Sequence, residues 1–117
     1  MLAVLALSGC SKESWLSHYF IARAENAYTK AHELRVRKGT ERTREKLYGG
    51  ACRDFVRAYQ YNPQSFTLAG IEYAIDACRR VKDPESEEKF LAFAEVYIQE
   101  HPTEAEHGDA FPVLAFE

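Results

Sequence analysis

Three cysteines, four histidines and one tight run of carboxylates are the side chains of this 117-residue chain whose types admit covalent, redox or metal chemistry. Cys52 and Cys78 fall on the apolar stripes of two consecutive predicted helices. Counted outward from the turn at residues 62–65, they sit about 5 Å apart along the helix axes, at 1.5 Å of rise per residue. A bridge requires Cβ atoms about 3.8 Å apart, so a Cys52–Cys78 disulfide and two separately buried thiols both fit the pattern. A nucleophilic cysteine would need a neighbouring base and a lowered pKa, whereas apolar neighbours raise it. His18, His32, His101 and His107 show no H-x-x-x-H pair on one helix face, and there is no C-x-x-C. They are expected at the surface or at helix ends; protonated His101 would stabilise the negative end of its helix dipole. Asp83, Glu85, Glu87 and Glu88 lack the D-x-D-x-D-G spacing of a calcium loop and read as a helix start. No phosphate-cradling glycine loop or nucleophile elbow is present. The expectation is a protein that is not an enzyme, with no metal and no cofactor.

The elements that carry these residues are helical. From Ser14 to Val36 the apolar residues Phe20, Ala24, Ala27, Ala31 and Leu34 recur at spacings of four and three, one stripe of an amphipathic helix. Lys38-Gly39-Thr40 ends it, with Thr40 predicted to cap a second helix that runs to about Tyr61 on a stripe of Leu47, Ala51, Phe55 and Ala58. Gly49-Gly50 inside that helix costs about 1 kcal/mol per glycine against alanine and predicts close packing there. Asn62-Pro63 reads as the cap and first residue of a third helix, with Leu68, Ile71, Ile75 and Cys78 facing inward. Lys82-Asp83-Pro84 repeats that punctuation and opens a fourth, which buries Phe90, Leu91, Ala94, Tyr97 and Ile98 and stops before Pro102. Thr103 and Glu106 have capping-box spacing for a turn or so more, and the apolar tail Phe111 to Phe116 is expected to pack on the domain. Four helices of about 15 to 23 residues joined by short loops give an all-α fold of antiparallel hairpins. The domain boundaries are expected at 15–102 for the helical domain and 103–117 for the tail.

The N-terminus carries a more specific pattern. Leu2 to Leu7 is an apolar run, Leu7-Ser8-Gly9-Cys10 follows it, and Ser11, Lys12 and Glu13 turn the chain polar at once. This resembles the lipobox of bacterial lipoproteins. The resemblance implies residues 1–9 as the end of a signal peptide whose start lies upstream, 10–14 as a short tether, and Cys10 as the residue that receives diacylglycerol and an acyl chain. Several acyl chains, at about 0.8 kcal/mol per buried CH₂, anchor a protein stably to a membrane. Ser11 after the cysteine implies the periplasmic face of the outer membrane, with the inner membrane as the alternative. The run is too short to span a bilayer.

A second resemblance covers Lys30 to Pro102. Ala51, Phe55, Ala58, Tyr59 and Asn62-Pro63 are similar to the second helix of a tetratricopeptide repeat; Phe66, Gly70 and Tyr73 fit the first helix of another, and Phe90, Ala94 and His101-Pro102 its second. This implies a two-layer array with a concave groove for a protein or peptide. A repeat array usually needs about three units to bury its faces, so a plain four-helix bundle stands beside it.

Charge is distributed unevenly. Residues 1–82 carry 14 Lys or Arg against 8 Asp or Glu, and residues 83–117 carry one Lys against ten acids, for a net charge of -3. The two halves are expected to neutralise each other across shared faces. Nucleic acid is not expected as a partner, since the bases are spread along helices without interleaved stacking aromatics and the acidic end repels phosphate. Tyrosine and arginine dominate protein recognition sites, and Arg57, Tyr59, Tyr73 and Arg80 are the candidate partner-binding residues. The function expected is a membrane-anchored envelope lipoprotein that scaffolds an unidentified protein without chemistry or small-molecule substrate. A self-associating structural lipoprotein is one alternative, and a cytosolic helical adaptor, if the Cys10 motif is a coincidence, is the other.

Overall fold

A computed structural model describes the backbone of residues 2–105 and the side chains of residues 12–103. The tail Phe111 to Phe116, His107 and Glu106 lie outside the described residues, as does the side chain of Cys10. The chain forms α1 (Leu2–Leu34), α2 (Glu41–Tyr61), a 3₁₀ turn (Pro63–Ser65), α3 (Leu68–Arg80), α4 (Pro84–Glu100) and a final turn, α5 (Pro102–Ala105). No strand occurs among the described residues, and the fold is all-α.

Consecutive helices pack antiparallel. Ser17 of α1 meets Ala58 and Asn62 at the end of α2, while His32 meets Tyr48 near its start. The α2/α3 register is fixed by Cys52 against Cys78, and the α3/α4 register by Arg79 against Glu87. The result is two hairpins, α1/α2 and α3/α4, joined through α2 and α3, an arrangement compatible with a helical repeat. Phe55, Phe90, Ile71 and Ile75 are fully buried at its centre. Ala24, Ala31, Ala51, Ala58, Ala74, Ala77 and Ala94 have no exposure and let the backbones approach closely around these larger side chains.

Several element boundaries differ from the sequence expectations, each for a local reason. α1 begins at Leu2 and not at Ser14, so the helix continues through the segment read as signal and tether; the leucines and alanines of Leu2 to Leu7 are strong helix formers that offset Val4 and Gly9. Its inward stripe is Ser17, Ile21, Ala24 and Ala31, with Phe20, Ala27 and Leu34 only half buried, a face turned slightly from the expected one. The turn is possible because a serine counts as core here: the Ser17 hydroxyl lies 2.8 Å from the Ala58 carbonyl and 2.9 Å from that of Asn62, adding a second donor to carbonyls that already accept the Asn62 and Ser65 amides.

Thr40 does not cap α2 through its side chain. Its hydroxyl turns back to the carbonyls of Leu34 and Arg37, at 2.9 and 2.8 Å, and closes α1, while Gly39 takes the left-handed conformation (φ 80°) that the turn requires. Asn62 caps only the 3₁₀ turn, accepting from the Gln64 amide at 3.0 Å. Phe66 is then extended, and Thr67 caps α3 by accepting from Gly70 at 3.1 Å, which leaves α3 at 13 residues, shorter than expected.

Asp83 caps α4 as its position predicts, accepting from the Ser86 amide at 3.2 Å and from the Ser86 hydroxyl at 2.8 Å. Immediately before it, the Asp83 amide donates to Cys78 and the Lys82 amide to Arg79, the two bonds of a Schellman closure. Lys82 occupies the left-handed position of that motif (φ 56°), where glycine is the usual residue. The expected close packing at Gly49-Gly50 is absent. A Cβ on either would meet only ordinary contacts, 3.7 Å from the Arg53 guanidinium and 3.9 Å from Val81 at Gly49, and 3.8 Å from the guanidinium at Gly50. The two glycines form a shelf for the Arg53 guanidinium and no helix rests on them.

Candidate functional site

The richest polar cluster lies where α1 and α3 run side by side over α2. Helical spacing puts Tyr28 and His32 one turn apart on one face of α1, and Tyr73, Asp76 and Arg80 on one face of α3. The Tyr28 hydroxyl donates to Asp76 Oδ2 at 2.6 Å, and Arg80 Nε donates to the same oxygen at 2.8 Å. The Arg80 guanidinium also lies over the ring of Tyr48 from α2, 5.0 Å from its centroid. Tyr28 is the hub of the aromatic part, with its ring centroid 5.0 Å from Tyr73, 5.6 Å from Tyr48 and 5.7 Å from His32. A shallow cavity of about 520 Å³ opens beside it, lined by Tyr28, His32 and Tyr73 with Thr29, Glu33, Arg35 and Val36.

The electrostatics fix which groups carry protons. Burial, and then the hydrogen bond to the Asp76 carboxylate, pushes the Tyr28 phenol far above its ordinary value, so it is a proton donor at any physiological pH. His32 is held below the usual imidazole range, first by burial and then by the charges of Arg35 and Arg80. The Tyr48 hydroxyl and His32 Nδ1 make a long contact of 3.4 Å. Hydrogen bonding to Asp76 raises the Arg80 pKa further and keeps its guanidinium charged. Chemically, this face offers ring surfaces, a fixed cation and hydrogen-bonding groups, and the Asp76 carboxylate is engaged by two donors.

Of the four residues singled out from the sequence, Tyr73 and Arg80 belong to this face and the other two do not. Arg57 lies over the Phe20 ring, 5.7 Å from its centroid, near the other end of α2. Tyr59 is half buried in an aromatic cluster, with ring centroids 5.0 Å from Phe93, 5.9 Å from Phe90 and 6.5 Å from Phe66. Two residues apart on one helix, Arg57 and Tyr59 point about 200° apart and cannot share a surface. The sequence reading singled out neither Asp76, Tyr28 nor Tyr48 for this face; His32, expected at the surface or a helix end, lies half buried in the last turn of α1. The available signal was the polar stripe Tyr73, Asp76 and Arg80, at spacings of three and four on an otherwise apolar helix.

The cysteines and histidines have other places. Cys52 and Cys78 are buried and joined as a disulfide, Cα atoms 4.9 Å apart, which ties α2 to α3. The backbone at Cys10 lies within α1. His18 is exposed; His101 caps α4, stacked on Tyr97 at 4.1 Å with Nδ1 3.0 Å from the Tyr97 carbonyl. No group of three or more His, Cys, Asp or Glu suited to a metal occurs among the described residues, and none of their helices is long and apolar enough to cross a membrane. Between the basic and acidic halves, Arg79 and Glu87 pair at 2.8 Å, while Arg23–Asp54 and Arg80–Asp76 are pairs within the basic half. No protein-family model, no curated protein and no solved structure matches the chain.

Proposed function

We propose that this chain is a lipid-anchored, non-catalytic adaptor of the bacterial envelope, and that the face shared by α1 and α3 receives a protein partner. The observation that carries the reading is the preset Tyr28-Asp76-Arg80 arrangement beneath the exposed ring of Tyr73. A recognition surface of tyrosine and arginine gains most when its side chains are already ordered, because binding then costs little side-chain entropy. Asp76 does that ordering from within the face. The same arrangement suits a binding face better than a general base: the phenol of Tyr28 keeps its proton, and Oδ2 of Asp76 already accepts from two donors. The anchor rests on Leu7-Ser8-Gly9-Cys10, whose position ahead of the packed part of α1 leaves the face unobstructed by the membrane attachment.

The test has two parts. Expressed in bacteria behind a complete lipoprotein signal, the chain gains lipid mass and partitions with membranes, and a Cys10→Ala variant does neither. Crosslinked envelopes then yield a reproducible partner with the wild-type chain that is lost with Tyr73→Ala/Arg80→Glu. If both forms stay unmodified, the membrane part of the reading fails; if the surface variant retains the partner, the assignment of the face fails.

A further inference from the structure

We propose that Trp15, Tyr19 and Tyr61 form an aromatic collar that seats the anchor end of the domain in the headgroup region of a lipid bilayer. The proposal rests on the reading of Cys10 as the anchor and extends it from a covalent tether to a docking surface.

Among the described residues six large apolar side chains are exposed, and three of them, Trp15 (64%), Tyr19 (47%) and Tyr61 (41%), gather at one end of the described helices. They are connected. Trp15 stacks on Tyr19 with centroids 5.9 Å apart, Tyr19 meets the edge of Phe20 at 5.3 Å, and Phe20 stacks on Tyr61 at 5.7 Å. The hydrogen bonds of Ser17 to the last turn of α2 put Tyr61 level with this part of α1. The ridge therefore crosses from one helix to the next at the end nearest Cys10.

Three physical features select a lipid interface as the occupant. Tryptophan and tyrosine have an apolar body with a polar tip and concentrate where hydrocarbon meets headgroups. Trp15 follows Cys10 by five residues, about 7.5 Å along a helix, and helical side chains lean toward the N-terminus, so both α1 rings lean toward the anchor. The Arg57 guanidinium over Phe20 adds an exposed cation beside the collar, suited to anionic headgroups.

Trp15 is the only tryptophan, and with Cys52 and Cys78 joined, Cys10 is the one remaining cysteine of three, so the collar can be read without cellular lipidation. The full chain is coupled through Cys10 to a maleimide lipid in vesicles of phosphatidylethanolamine and phosphatidylglycerol. The expected result is a blue shift of Trp15 emission, loss of most quenching by aqueous iodide, and quenching by bromines placed on the acyl chains near the headgroups. In Tyr19→Ser/Tyr61→Ser the iodide quenching returns, while far-ultraviolet circular dichroism is unchanged because both positions are exposed. Trp15 as open to iodide on vesicles as off them overturns the proposal. So does a shielded Trp15 that the double variant leaves shielded, since the tether alone would then account for it. Failure of lipidation in cells, seen by intact mass, rejects the anchor reading and leaves this measurement decisive for the collar.

Discussion

Tyr28 and Asp76 are 48 residues apart in sequence and 2.6 Å apart in space, a direct hydrogen bond from α1 to α3. Because Arg80 donates to the same carboxylate oxygen, removing Asp76 unseats two donors and removing the Tyr28 hydroxyl unseats none. Asp76→Ala is expected to lower stability by about 2 kcal/mol and Tyr28→Phe by about 1 kcal/mol, measured by urea denaturation. The Tyr28 shift adds a pH signature. Its folded pKa is raised, so its contribution is complete below the unfolded value of about 10 and is lost above it. The stability advantage of the wild type over Tyr28→Phe should therefore shrink as pH rises above about 10.

His32 supplies the acid-side counterpart. Its folded pKa is lowered, so the neutral ring contributes stability above the unfolded value of about 6.5, and that contribution is lost as pH falls through the folded one. Between about pH 6.5 and 5, before most carboxylates titrate, the wild type should lose stability relative to His32→Gln. Thermal melts of both proteins across this window check the sign; stability curves with no divergence would count against a neutral imidazole at His32.

The Cys52–Cys78 disulfide closes a loop across a sequence separation of 26 residues. On the chain-entropy scale that constrains the unfolded state by about 3.5 kcal/mol. Cys52→Ala/Cys78→Ala, purified beside the oxidised wild type, should show a midpoint lowered accordingly, and a reductant should lower the wild type toward the variant while leaving the variant unchanged.

Two backbone positions carry unrelieved local cost. Lys82 holds a left-handed conformation that glycine adopts freely, and Lys82→Gly should stabilise by about 1 kcal/mol. Gly50→Ala has space for its methyl, 3.8 Å from the Arg53 guanidinium, and should stabilise by about 0.5–1 kcal/mol through helix propensity alone. Denaturant midpoints for each single variant test both, and additivity is expected in the double variant only if Arg53 does not shift.

The helices and their inward faces were legible because packing follows periodicity. The α3 stripe Leu68, Ile71, Ile75 and Cys78 is fully or nearly fully buried, as its spacing predicts, and Asp83 caps α4 through the side chain its position implies. Boundaries were less legible where two caps compete. Thr40 could serve either neighbour and serves α1, and Asn62 and Thr67 both carry capping chemistry, with the later one starting the helix. The candidate face was legible only in part, since Tyr73 and Arg80 advertise themselves by type, whereas Asp76 matters through a partner on α1 that no local spacing reveals.

The position of the disulfide also sets how the molecule would answer a mechanical load. It joins α2 to α3 and so staples the two hairpins, but it leaves α1 held only by packing, the Ser17 hydroxyl and side-chain links such as Tyr28–Asp76 and Arg23–Asp54. A pull applied through the N-terminal side would peel α1 away first. The stretch between the cysteines, worth about 90 Å of contour at full extension, would stay locked until the bond were reduced. The chain is built to yield in α1 and to hold between Cys52 and Cys78.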